Sequence, residues 1–247
     1  HAQGLRRIAC IGDSITAAAC SNQTHGYPAV LQALLGPAYQ VTNFGSSGMT
    51  MLQSGYCGAS QGPEGPLGSC SYWKQPQWSA ALDSQPDLVT IMLGTNDAKY
   101  FNWMWIQSNS SDFYALDYIE MIQTLHSLKP RPKVYVLSLV PLFPPYPFGM
   151  NSTVINEIAT PLIQRIGALA GADGFIDVHA AFANQTASIT CDGCHPRDPG
   201  YELIARTLAG PIRRAFGDSH VDDHSMAYID FDSPSYVQMA KEVNAKA

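Results

Sequence analysis

A serine hydroxyl is a weak nucleophile until a positioned base takes its proton, and that base needs a partner to fix its tautomer and stabilise its cation. Ser14 sits in Gly12-Asp13-Ser14-Ile15-Thr16, directly after the apolar run 8–11, and so stands at the end of a buried strand. In an open parallel sheet the carboxyl ends of the strands form the ligand crevice, and a glycine before the serine lets the backbone turn sharply. Asp192 and His195 occur in Cys191-Asp192-Gly193-Cys194-His195. On a turn, that spacing sets the carboxylate against one imidazole nitrogen and leaves the other free. The three residues could supply the nucleophile, base and orienting acid of acyl transfer. Gly48 and Asn96, at the ends of the second and third strands, offer a backbone N–H and a side-chain amide to the charge that develops on a carbonyl oxygen. Each feature also has a plainer reading: Asp13 and Ser14 as helix caps, Asp192 and His195 as a surface turn, Gly48 and Asn96 as turn formers.

Other spacings invite chemistry, and their context argues against it. Residues 191–195 also read Cys-x-x-Cys-His, the pattern of c-type haem attachment and part of a redox motif. Haem would need an all-helical wrapping, and the redox motif belongs at a first strand–helix junction. A disulfide between Cys191 and Cys194, bracing the His195 loop, is expected instead. Gly58-Ala59-Ser60-Gln61-Gly62 fits the elbow that presents a serine in α/β-hydrolases, but it lies in a Gly-rich insertion without the required strand and helix. Asp177 and His179 fall on one face of an expected buried strand, which suits a satisfied core or crevice-edge histidine. His1 could form half of a copper site, yet no second placed histidine accompanies it. No metal and no cofactor is expected.

Positioning these groups requires alternating strands and helices. A helix opening at Gly26-Tyr27-Pro28 carries Val30, Leu31, Leu34 and Leu35 and stops at Gly36-Pro37. A second strand, 39–44, runs into the turn Gly45-Ser46-Ser47-Gly48. Residues 49–76 form an irregular insertion rich in Gly, Pro and Ser, read as a surface rim, with a short helix near 78–82 after it. Residues 87–93 are an almost unbroken apolar run, as in a parallel strand covered on both faces, and end in Gly94-Thr95-Asn96-Asp97. An aromatic loop at 100–105 precedes a helix that Asp112 is expected to cap, with Phe113, Leu116, Ile119, Ile122 and Leu125 on its apolar face. A fourth strand at 133–140 leads to a proline-rich loop, 141–147. The helix 152–169 should turn Ile155, Ile158, Leu162, Ile166 and Leu169 inward and kink at Pro161. A fifth strand at 174–178 and a last helix, from Asp198-Pro199 through Leu203, Ile204, Leu208 and Ile212, complete the series. This alternation predicts a three-layer α/β/α sandwich on a parallel sheet with right-handed crossovers. Residues 1–217 form the expected domain, and 218–247 a C-terminal tail without an assigned role.

No apolar run approaches the roughly 18 residues that span a bilayer. A net charge of −6 without a basic cluster argues against a nucleic acid partner. Sequons at Asn22, Asn109, Asn151 and Asn184 lie in loops or at helix boundaries, and together they point to a secreted glycoprotein. Six cysteines agree with that compartment: Cys57 and Cys70 bracket the insertion and are expected to pair, and Cys10 to be free or joined to Cys20. No signal-peptide pattern is present, so His1 is expected to follow a processing site or an artificial junction.

Gly12-Asp13-Ser14, the Gly48 turn, Gly94-Thr95-Asn96-Asp97 and Asp192-x-x-His195 resemble, in order and spacing, the four blocks of the SGNH or GDSL hydrolase superfamily over residues 5–216. The resemblance implies a flavodoxin-like sheet of five parallel strands, with Ser14 as nucleophile, His195 as base and Asp192 as its partner. It also implies an oxyanion hole from the Ser14 N–H, Gly48 and Asn96. Within the superfamily, residues 93–99 with Asn102-Trp103, and Pro147-Phe148-Gly149-Met150-Asn151 before a helix, look most like microbial carbohydrate O-acetylesterases. Cys194 beside His195, the cysteine-bearing insertion and the tail depart from that pattern. The expected activity is metal-independent ester hydrolysis through an acyl-enzyme, with a saccharide acetyl ester as substrate. Trp73, Trp103 and Trp105 offer flat faces to a sugar ring. A lipase or arylesterase of the same superfamily is the alternative enzyme. A catalytically silent glycan-binding module is the rival from another class, disfavoured because it need not keep Ser14 and His195.

Overall fold

The computed structural model describes residues 4–58, 62–103, 110–218 and 228–238. Strand β1 (Arg6–Gly12) lies between β2 (Tyr39–Gly45) and β3 (Leu88–Met92), and β4 (Lys133–Leu137) and β5 (Gly174–Ile176) continue the sheet in parallel. The order β2-β1-β3-β4-β5 is the flavodoxin-like one. Ile8, Ala9, Cys10 and Ile11 are each at most 1% exposed. Successive residues of a strand face opposite ways, so burial of all four means that both faces of the sheet are covered. The helices are α1 (Tyr27–Leu35), α2 (Pro76–Asp83), the short α3 (Tyr100–Trp103), α4 (Ser110–Ser127), α5 (Ala159–Ala170), the short α6 (Val178–Ala181) and α7 (Asp198–Ala215). Among them α1 packs on α7, and α4 on α5.

Among the described residues the sheet has one strand more than the expected five. β6 (Tyr228–Asp230), from the segment read as a tail, pairs antiparallel with β5, Gly174 opposite Asp230 and Ile176 opposite Tyr228. The Tyr228 ring lies against Tyr135, and Phe231 is buried in the core. On the opposite margin, Gln32 of α1 accepts the Val41 N–H at 2.8 Å and donates to the Tyr39 carbonyl at 3.0 Å.

In two helices part of the inward face differs from the one expected. In α4 the buried residues are Tyr114, Tyr118, Met121, Ile122 and Leu125, while Phe113 and Leu116 are exposed. The reason is hydrogen bonding: the Tyr114 and Tyr118 hydroxyls donate to the Leu93 and Ile91 carbonyls, at 2.7 and 3.2 Å, and so satisfy backbone acceptors at the end of β3. Asp112 lies in the first turn of α4, not at its cap. Ahead of α5, Val154–Ile158 forms a π-helical turn. Pro161 has no N–H to give the residue four before it; past the wider turn Ala159 and Ile163 face inward in place of Ile158 and Leu162, while Ile155 and Ile166 are buried as expected. Ile158 and Leu169 are left exposed.

Register brings the chemistry together. Gly12 is opposite both Gly45 and Met92, so the turns after β1, β2 and β3 start side by side. They do so where the strand order reverses, the place at which open α/β sheets bind ligands. Gly45 is required there, because a Cβ on it would stand 2.2 Å from the Ala17 backbone nitrogen, where the turn carrying Ser14 lies against the end of β2.

Candidate active site

Ser14 follows β1 on a series of turns, and Asp13 Oδ1 accepts the Ile15 N–H at 2.9 Å to hold the first of them. His195 comes from the loop before α7. Its Nε2 lies 2.8 Å from Ser14 Oγ, and its Nδ1 lies 2.6 Å from Asp192 Oδ2. The other oxygen of Asp192 accepts the Cys194 and His195 N–H groups at 2.9 and 2.8 Å. Burial opposes ionisation of Asp192, but the bonds from the His195 ring and these two amides outweigh it and hold its carboxyl below the ordinary value. The Asp192 contact requires a proton on Nδ1, which leaves Nε2 of the neutral ring facing the hydroxyl as an acceptor.

Gly48 and Asn96 emerge from the neighbouring strand ends. The N–H groups of Ser14 and Gly48 meet no acceptor among the described residues. Asn96 is 4% exposed, and its Nδ2 donates to the Met49 carbonyl at 3.1 Å. An amide nitrogen carries two hydrogens, so the second remains for a ligand. Residue 97 holds this loop from beneath: Asp97 is fully buried and accepts the Met51 and Leu52 N–H groups at 2.9 and 2.8 Å. Burial pushes its carboxyl up to about 7, with the two N–H bonds opposing. Asn102 adds a two-way clasp to Tyr56, accepting its N–H at 2.8 Å and donating to its carbonyl at 3.2 Å. Neither Asp97 nor Asn102 drew notice in the sequence as a support, since both serve an insertion that has no periodic pattern.

Residues 10–203 match the GDSL-like Lipase/Acylhydrolase family. The chain belongs to this family. An acetylxylan esterase of Xylanibacter ruminicola is 32% identical over 226 residues, covering 84% of this chain and 43% of that protein. The chain therefore spans less than half the length of that relative. Among solved structures, a carbohydrate acetylesterase from Sinorhizobium meliloti aligns with a TM-score of 0.64 at 20% identity, over 85% of this chain and 100% of the other. The aryl esterase of M. smegmatis aligns with a TM-score of 0.57 at 22% identity, over 85% and 99%. Both share its fold.

In this chain the disulfides differ from expectation at the site itself. Cys57–Cys70 closes the insertion as expected, but Cys191 is bonded to Cys20, 171 residues away, and not to Cys194. Cys194 and Cys10 are buried free thiols. The short spacing from 191 to 194 suggested a local staple; instead the turn is tied by Asp192, and Cys191 faces the segment after Ser14. Cys191 is thereby removed from any haem linkage. Cys20, Cys191, Asp192 and His195 bring potential metal ligands within 4.8 Å, but the sulfurs are joined to each other and the other two share a hydrogen bond.

The remaining sequence candidates fall as follows. β5 stops at Ile176, so Asp177 is the N-cap of α6, accepting the Ala180 N–H and the Ser138 hydroxyl, and strand alternation does not apply to it. Burial lowers the His179 pKa. Trp103 is half-buried with its ring 6.0 Å from Tyr114, and Trp73 lies 5.3 Å from Trp78 and donates to the Met51 carbonyl. Trp105, Asn109, Ser60 and His1 lie outside the described residues. Asn22 and Asn184 are exposed; Asn151 is half-buried and accepts the Thr153 and Val154 N–H groups.

Proposed function

We propose that this protein is a serine esterase that removes acetyl groups from a saccharide through an acyl-enzyme. The observation that carries the reading is the hydrogen-bonded chain from Ser14 Oγ through His195 to Asp192. In this reading His195 Nε2 takes the Ser14 proton as Oγ attacks the ester carbonyl, and Asp192 stabilises the imidazolium without accepting its proton. The Ser14 and Gly48 N–H groups and the Asn96 amide receive the oxyanion, each donor worth about 2.7–4 kcal/mol in the transition state. His195 returns the proton to the departing alcohol, and water then releases acetate by the same steps.

The acetylxylan esterase relative supports a saccharide acetyl ester as substrate. Trp103 and Trp105 are proposed as contacts for the sugar. No helix among the described residues is long and apolar enough to cross a membrane. Two disulfides and exposed sequons at Asn22 and Asn184 support a secreted glycoprotein.

Acyl chain length tests the substrate. Each buried methylene is worth roughly 0.8 kcal/mol, so an acyl tunnel taking six more would favour octanoyl over acetyl esters by up to about 5 kcal/mol. The expected result is a higher kcat/KM for acetyl esters and acetate release from acetylated xylan. Faster octanoyl cleavage, or no release from any acetylated saccharide, would move the protein to a lipase or arylesterase role.

A further inference from the structure

The proline-rich loop after β4 connects the two sides of the site. At its start the Phe143 N–H donates to the Gly193 carbonyl at 2.8 Å, next to His195. At its end the Gly149 carbonyl accepts the Tyr100 N–H at 2.9 Å, and the Asn151 N–H reaches the Ala98 carbonyl at 2.8 Å, beside Asn96 and Asp97. The contact with residue 193 is close enough to need glycine: Gly193 has φ +90°, and a Cβ there would meet the Phe143 carbonyl at 2.6 Å. Between these fastenings Phe148 is held at φ +60° and Tyr146 at φ +54°, a left-handed backbone that bulky side chains rarely adopt. Such backbone persists only where its surroundings enforce it, and it gathers at ligand sites. Phe148 sets its ring against His195, centroids 5.6 Å apart at 64°, yet remains 37% exposed. A large aromatic ring is thus fixed beside the base while part of the residue stays open to solvent.

We propose that Phe148 is the floor of a leaving-group subsite, taking the pyranose ring that carries the ester. This rests on the esterase reading above. In that reaction the carbonyl oxygen faces Gly48 and Asn96, and the departing oxygen must come within about 3 Å of His195 Nε2 to receive its proton. The alcohol half therefore extends past the His195 ring, and Phe148 is the exposed apolar surface that flanks it. A pyranose presents an apolar C–H face that fits a flat ring, as aromatic walls do in small-molecule sites. An acetyl methyl, on the other side of the carbonyl, needs no such surface. The loop 141–151 then contributes to specificity for the alcohol alongside Trp103 and Trp105, apart from the insertion that carries Trp73.

The test is a ratio: kcat/KM for an acetylated xylo-oligosaccharide divided by kcat/KM for methyl acetate, whose alcohol has no ring. Phe148→Leu keeps an apolar contact with His195 and loses the flat face; it is expected to lower this ratio about tenfold, and Phe148→Trp to preserve it. A pH profile of the same shape in both variants separates ring binding from displacement of His195. If the wild type cleaves the saccharide and Phe148→Leu leaves the ratio unaltered, or Phe148→Trp lowers it as much, the subsite is overturned while the esterase reading stands. If the wild type releases no acetate from the saccharide, the esterase's substrate and the subsite's occupant fall together.

Discussion

The two disulfides close loops of very different size, with partners 171 and 13 residues apart. Cross-linking removes entropy from the unfolded chain by an amount that grows with the logarithm of the loop. That amount is about 5 kcal/mol for Cys20–Cys191 and about 3 kcal/mol for Cys57–Cys70. Cys20→Ala/Cys191→Ala should therefore lose more stability than Cys57→Ala/Cys70→Ala, measured by urea unfolding of the oxidised proteins. Function should separate them further. The longer bridge ties the residue before Asp192 to a segment six positions past Ser14, so its loss frees the two halves of the reacting group to drift. A displacement of about 1 Å can cost about a hundredfold in rate. Initial rates on methyl acetate, taken below the unfolding transition, should show that larger loss only in Cys20→Ala/Cys191→Ala. Non-reducing peptide mapping should recover Cys20 with Cys191. Equal stability losses in the two variants, an unaltered kcat without the longer bridge, or a Cys191–Cys194 peptide would refute the reasoning.

A phosphonate inhibitor is expected to label Ser14 alone, and Ser14→Ala to be folded and inactive; labelling at Ser60 would overturn the assignment. Asp192→Asn should lower kcat by about four orders of magnitude and His195→Ala by about six, so a reversed order of rates would mean that another carboxylate serves the base. Asn96→Ala is expected to lower kcat about a hundredfold to a thousandfold, read in the same assay, and an unchanged rate would remove its amide from the oxyanion site. Asp97 gives a pH prediction. Its folded pKa, about 7, lies above the ordinary carboxylate value, so the folded state binds more protons than the unfolded one between pH 4 and pH 7, and stability falls as pH rises through that window. The stability difference between wild type and Asp97→Asn should slope with pH there by up to about 1.4 kcal/mol per unit; a flat difference would sink this account.

The sequence was most legible where chemistry constrains residue type. Ser14, Gly48 and Asn96 stand in short motifs after apolar runs, and the strand register starts their turns side by side at the carboxyl end of the sheet, while Asp192 and His195 share one short turn before α7. It was less legible where a three-dimensional neighbour chooses among local options. Cys191 had Cys194 close in sequence, but its partner came from the far end of the chain. The apolar spacing of α4 favoured Phe113 and Leu116; two tyrosines took their place because their hydroxyls reach carbonyls of the sheet. Ile155 and Ile166 face inward as their spacing indicated, but Ala159 and Ile163 replace Ile158 and Leu162 because a proline's missing donor widened the turn before it. Phe148 sits in a loop without periodicity, and only folding sets its ring against His195.

The sixth strand has a consequence for how copies of the molecule meet. An open sheet offers a row of unpaired N–H and C=O groups along each outer strand, a template for any other chain that can add to it. Gln32 occupies such groups on β2, and Tyr228–Asp230 covers β5 by pairing with it. The short segment thus acts as a guard against edge-on recruitment of a second molecule. A chain cut after Asp218 would keep the Asp218 ion pair with Arg6 as well as Ser14, His195 and Asp192 but expose the margin of β5, and it should gather into assemblies, visible by light scattering, while those three residues are still in place.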